Sequence, residues 1–167
     1  VFGISFRMLR AWVAGLQVAR QVSDTVDLRA AMLDDTGYDI EMAGGVYNLA
    51  VQPGWGTCMY GPYFLCVTRD LTIRSAAGAT AVLDGGGQKG VLIVHQHATA
   101  SLHGLEITNG GGSTVGTAGG IFIGADSTLS ITNCSIHDNH AGVDGGGIFN
   151  DASGTLTIID SVVHHNS

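Results

Sequence analysis

From Tyr38 onward, apolar and polar residues alternate in short runs. Asp39-Ile40-Glu41-Met42, Val46-Tyr47-Asn48-Leu49-Ala50-Val51, Asp70-Leu71-Thr72-Ile73-Arg74 and Ala81-Val82-Leu83-Asp84 all do so. A period of two puts every second side chain on one face of a strand. Brief, β-branched runs broken by Ala43-Gly44-Gly45 and Gly85-Gly86-Gly87 predict an all-β fold. Ahead of them, Ser23 or Asp24 is placed to cap a short helix over 24–33, which the turn cluster Asp34-Asp35-Thr36-Gly37 ends. Residues 1–22 mix apolar side chains with Arg7, Arg10 and Arg20, and Met8, Val13 and Leu16 approximate helical spacing. Residues 1–23 are therefore set apart, as a helix with one apolar face or as untemplated upstream sequence, from a domain spanning 24–167. The alternation lapses at 52–66, QPGWGTCMYGPYFLC, which predicts a long Gly/Pro/aromatic insertion.

The second half of the chain repeats itself. Residues 119–140, GGIFIGADSTLSITNCSIHDNH, align without a gap on residues 146–167, GGIFNDASGTLTIIDSVVHHNS, with 10 identities in 22 positions at an offset of 27. Residues 92–110 fit the same frame at an offset of 29, matching Leu92 to Ile121, Leu102 to Ile131 and Ile107 to Ile136. A unit this short cannot enclose a core alone. Stacked on a copy of itself, it pairs parallel strands about 4.8 Å apart. The frame then sets Ile121 against Ile148, Leu129 against Leu156 and Asn139 against Asn166, the asparagines forming an amide ladder. Gly119, Gly120, Gly146 and Gly147 are expected to turn corners with positive φ. The prediction is a right-handed parallel β-helix of about five coils over 38–167, with the 24–33 helix covering its first edge.

Composition narrows the classes. The chain has 167 residues, 26 Gly, 2 Pro and 13% charged residues, with a mean hydropathy of +0.28. Disorder, collagen and a long helical bundle all require other balances. No window of the sequence has the roughly 18 unbroken apolar residues of a membrane helix. The net charge is −7, and all seven basic residues, Arg7, Arg10, Arg20, Arg29, Arg69, Arg74 and Lys89, precede residue 90. A nucleic-acid partner is not expected of such a chain. Val1 at the start, and a coil that closes at Ser167, suggest a piece of a longer protein.

Candidate chemistry is sparse. Cys58 and Cys66 flank a short loop and are either a disulfide or two reduced thiols, while Cys134 is expected to fill the core. Trp55, Tyr60 and Tyr63 offer rings that would stack on carbohydrate; the plainer alternative is that they cover a flank of the core. His137, Asp138 and His140, with His164 and His165 one coil later, have the residue types of a zinc site, although a polar solvated turn explains them as well. Asp84 suits a turn cap, Arg74 and Lys89 look isolated, and no acid pair is apparent on one strand. Thr128 and Thr155 align, without a second threonine column beside them. No cofactor is expected.

The GGI triplets at 119–121 and 146–148 and the strand ends Ile136-His137-Asp138-Asn139 and Val163-His164-His165-Asn166 carry a resemblance. So do Leu28-Arg29-Ala30-Ala31, GGVYNL, LTIRSAAG and VLDGGG. Over about 24–167 the chain resembles right-handed parallel β-helix repeat proteins of the pectin-lyase-like superfamily. Among these it is most similar to polymorphic outer-membrane-protein repeats, with Ile136 and Val163 standing where that end motif usually has Phe. The resemblance implies a non-catalytic structural or adhesive domain, outside the cell or on the outer-membrane surface, whose partners are polysaccharide or another cell's surface. Its alternatives are a fragment of a polysaccharide lyase or glycoside hydrolase, and a polysaccharide-binding module.

Overall fold

The computed structural model describes residues 19–34, 39–51, 58, 61–95, 97–112 and 118–167. The chain enters on strand β1 (Arg20–Val22) and turns into helix α1 (Thr25–Leu33), followed by β2 (Ile40–Met42) and β3 (Gly45–Asn48). It then winds through β4 (Tyr63–Val67), β5 (Leu71–Ser75) and β6 (Ala81–Asp84), and through β7 (Gly90–Val94), β8 (Thr99–His103) and β9 (Leu105–Thr108). After the short β10 (Gly111–Gly112) come β11 (Ile121–Ile123), β12 (Thr128–Thr132) and β13 (Ser135–His137). The short β14 (His140–Ala141) leads to β15 (Ile148–Asn150), β16 (Thr155–Ile159) and β17 (Val162–His164).

Strands stack coil on coil, always parallel, in three main sheets of order β1-β2-β5-β8-β12-β16, β15-β11-β7-β4 and β17-β13-β9-β6-β3. This is a parallel β-solenoid. Where five coils were expected over 38–167, four coils carry all three strands, β2 and β3 form an incomplete one before them, and β1 adds a further rung to one sheet; three full turns separate β4 from β15. The register follows the repeat. Leu92 pairs with Ile121 and Ile121 with Ile148. Leu102 pairs with Ile131 and Ile131 with Ile158. Ile107 pairs with Ile136.

The core is the column of inward side chains enclosed by the three sheets. Leu65, Leu92 and Ile121 come from one wall, Ile73, Leu102 and Ile131 from another, and Leu83, Ile107 and Ile136 from the third. Helix α1 covers the first edge, burying Leu28 and Ala31. Its N-cap is Asp24, whose Oδ1 accepts from the Val26 and Asp27 N–H groups, both at 2.8 Å. Two of the four free amides of the first turn are thereby satisfied.

Three expectations change. Residues 20–22, set apart as part of a helix or of untemplated upstream sequence, form β1 and pair with Ile40–Met42, which adds a strand ahead of residue 24. Residues 1–18 lie outside the described part. Residues 63–66, read as part of a surface insertion, lie in β4, whose Tyr63, Phe64, Leu65 and Val67 are buried. Alternation is lost at 63–66 because β4, like its neighbour β7, is buried at nearly every position, and a strand buried on both sides has no polar face to show. Finally, the glycine pairs do not make the corners. Positive φ falls instead at Gly104 (64°), Asn133 (53°) and Asp160 (47°), and at Asn109 (52°), Asp138 (53°) and His165 (51°). Within each trio the residues are one coil apart, so left-handed positions stack on left-handed positions. The paired glycines answer a different demand, close approach of backbones. A Cβ on Gly119 would lie 2.5 Å from the His140 carbonyl oxygen, and one on Gly120 would strike the Gly147 carbonyl.

Candidate functional site

Strands of the six-stranded sheet turn Leu71, Ile73, Ala100, Leu102, Leu129 and Ile131 inward, so their alternate residues face out. Register aligns those outward residues in columns. Thr99, Thr128 and Thr155 form one. Thr72, Ser101, Ser130 and Thr157 form the next. The second hydroxyl column, absent when only threonines are sought, is completed by serines, and the offsets of 27 and 29 were sufficient to find it. Parallel strands space the hydroxyls about 4.8 Å along the solenoid, and alternate residues on one strand are about 6.6 Å apart. Beside them runs Gln21, Glu41, Arg74, His103, Thr132 and Ile159.

At the early end of this face lies a depression lined by Asp39, Asp70, Leu71, Thr72, Thr99 and Ser101. Its two carboxylates are held by the same device. Asp39 Oδ1 accepts from the Thr72 N–H at 3.0 Å, and Asp70 Oδ1 from the Thr99 N–H at 2.8 Å. Each aspartate thus engages an N–H of the following coil's strand. The sequence offered no acid pair because these two lie on different coils and meet only through stacking. Arg74, which looked isolated, bonds Glu41 through Nε at 2.8 Å. That hydrogen bond, then one from Gln21, holds the Glu41 carboxyl below its usual range. Lys89 is likewise engaged, its Nζ lying 5.4 Å from the centre of the Phe64 ring.

His137 and His164 stand on the outer face of the five-stranded sheet, on β13 and β17. His137 Nε2 is 3.0 Å from Glu106 Oε1, and its Nδ1 is 2.7 Å from Asp138 Oδ2. The His164 ring stacks on it at 5.0 Å and 14°. His164 Nδ1 in turn meets His165 Nδ1 at 2.8 Å. His140 points elsewhere, to Ser167 Oγ at 3.0 Å. Among the described residues no three His, Cys, Asp or Glu side chains are arranged to hold a metal ion. Burial alone would lower the His137 pKa, but its hydrogen bonds to Asp138 and Glu106 and the charges of both outweigh this and raise it. The Asp138 carboxyl is lowered by the same hydrogen bond.

Of the proposed carbohydrate-stacking residues, Trp55 and Tyr60 lie outside the described part. Tyr63 does not offer a ring to solvent. It is 1% exposed, and its hydroxyl accepts from the Ala118 N–H at 2.8 Å. Burial pushes its phenol pKa well up. It packs in a small outer cluster with Ile93 and Cys58, against which Cys66 and Phe122 lie. Cys58 and Cys66 are joined by a disulfide, their Cα atoms 5.9 Å apart. Cys134 is buried as expected, its Sγ accepting from the Leu105 N–H and donating to the Thr132 carbonyl. Asp84 is the turn cap expected, with Oδ1 accepting from the Gly86 N–H at 2.8 Å.

Comparison with known proteins found no matching family model, no matching curated protein and no matching solved structure. Among the described residues no helix is long and apolar enough to cross a membrane.

Proposed function

We propose that this chain is a non-catalytic β-solenoid domain with a structural or adhesive role, acting outside the cell or on an outer-membrane surface. On this reading the outer face of the six-stranded sheet holds neutral polysaccharide. The observation that carries it is the pair of aligned hydroxyl columns, Thr99-Thr128-Thr155 and Thr72-Ser101-Ser130-Thr157. Each hydroxyl donates and accepts, as sugar hydroxyls do. The columns run out from a depression where Asp39 and Asp70 supply acceptors. Kinship with polymorphic outer-membrane-protein repeats belongs to the same proposal, as does export. The Cys58–Cys66 disulfide supports export, because such bonds persist in oxidising compartments.

A glycan array followed by calorimetry tests the reading. Binding of a neutral polymer, weakened by Ser130→Ala, is expected. An array with no ligand above background removes the polysaccharide part.

The placement of Asp39 and Asp70 around one depression favours a second reading, a piece of a polysaccharide lyase or glycoside hydrolase. Glycosidases work with two carboxyl groups flanking the bond. Reducing-sugar and unsaturated-uronide assays on the same polymers separate the two. Turnover that is lost in Asp70→Asn replaces the non-catalytic reading with the enzymatic one.

A further inference from the structure

The side chains around His137 tie three coils together, and their geometry has a protonation requirement. Glu106 comes from β9, His137 from β13 and His164 from β17, while Asp138 and His165 follow β13 and β17 at the left-handed corner. Both ring nitrogens of His137 face carboxylate oxygens, at 3.0 Å and 2.7 Å. A neutral imidazole has one N–H and one lone pair. It can serve one carboxylate, but it then turns its lone pair to the other at hydrogen-bond distance. Only the imidazolium donates to both.

The remaining neighbours do not replace that proton. Thr108 Oγ1 stands 3.5 Å from His137 Nδ1. Asp84 continues the same outward column one coil beyond Thr108, adding negative charge on that side. His164 lies flat on the His137 ring, with Ser135 Oγ 3.5 Å from its Nε2 and His165 edge-on at its other side. The His137 side chain is 18% exposed, while its partners Glu106 and Asp138 are more open to solvent, at 32% and 58%.

We propose that His137 is a proton-operated clasp, closed when its ring carries a proton and bonds Glu106 of the preceding coil and Asp138 together, and open when that proton leaves. The upward shift of its pKa agrees with this geometry. A group whose folded pKa exceeds its unfolded one contributes stability below the unfolded value and loses it as pH rises through the folded value. While Glu106 and Asp138 are ionised, the clasp's contribution is therefore complete below the ordinary histidine value near pH 6.5 and is lost as pH rises through the raised value of the folded state.

Thermal unfolding from pH 5.5 to 9 tests this, with the unmodified chain, His137→Gln and Glu106→Gln. The unmodified chain is expected to lose about 2–4 °C in Tm as pH rises through the window. His137→Gln should flatten that slope, and Glu106→Gln should reduce it. A His137→Gln variant that keeps the full slope, merely displaced to lower Tm at every pH, overturns the clasp. Should that variant not fold, proton NMR of the histidine rings in the unmodified chain decides. A His137 midpoint above those of the other histidines sustains the clasp, and one at or below them overturns it.

Discussion

Asn139 Nδ2 donates to Asn166 Oδ1 at 3.0 Å, joining two asparagines 27 residues apart at one corner of successive coils. Asn139 is 1% exposed and also accepts from the Gly110 N–H at 2.8 Å, and the Ile107 and His137 carbonyls share its two amide hydrogens with Asn166. It thus satisfies backbone groups on both the coil before and its own.

Asn139→Ala is expected to cost about 2–4 kcal/mol, because it strands the buried Gly110 N–H and Ile107 carbonyl. Asn166→Ala should cost less, about 1 kcal/mol, since Asn166 is only part-buried in its bonds to Ile136 and Asn139. Urea unfolding of the two variants checks the order. Equal losses would refute the greater cost assigned to the buried groups that Asn139 satisfies.

Two glycines separate strain from collision. Gly78 has φ +73° with nothing within 4 Å of an added Cβ, so Gly78→Ala should cost about 1–2 kcal/mol through backbone strain alone. Gly110 has ordinary φ, but its Cβ would overlap the Gly119 carbonyl, which is backbone and cannot swing away. Gly110→Ala should cost about 3 kcal/mol or more. The reverse order in denaturant melts would refute the close approach of these coils.

Thiol counting examines the outer cluster. The chain has 3 cysteines. Without reductant the folded protein should react slowly with a thiol reagent, because its free Cys134 is buried and burial raises that thiol's pKa. Denatured without reductant it should yield one thiol, and with reductant three. Three thiols without reductant would exclude the Cys58–Cys66 bond. Loss of the bond should lower stability by about 2 kcal/mol, as expected for so short a loop.

Tyr63→Phe removes a buried hydroxyl and leaves the Ala118 N–H unpaired, for about 1–2 kcal/mol. Polysaccharide binding should be unaffected by it, since the ring is buried on a different sheet from the hydroxyl columns. Ser130→Ala should do the converse, weakening glycan binding about 3–10-fold with little change in stability. If Tyr63→Phe abolished binding while leaving the melt unchanged, the site would belong to the aromatic corner instead.

Much of the fold was legible in the chain. The offset of 27 set Leu129 on Leu156 and Ile121 on Ile148, and those pairs stand in the sheets. Periodicity works here because stacking makes each core position repeat. It failed at 63–66, where Tyr63 and its neighbours are covered on both sides and lose the polar alternation that marks a strand. The corners were misassigned for a related reason. Glycine suggests positive φ, yet Gly119 and Gly120 are small because backbones approach there, while Asn133, Asp138 and His165 take the left-handed angles.

The candidate sites depended on three dimensions far more. Sequence alone determined the repeat, its register, the capping helix and the aligned asparagines, because each follows from local pattern and a fixed offset. Only the tertiary structure decided that Asp39 and Asp70 share a depression, that Arg74 pairs with Glu41, and that Tyr63 is buried. It also decided that His137 lies between two carboxylates. Apart from the His137–Asp138 contact, those relationships join side chains on different coils. Their distances are set by how coil stacks on coil and by which face of a wall is covered, and neither is written in the spacing of any one coil.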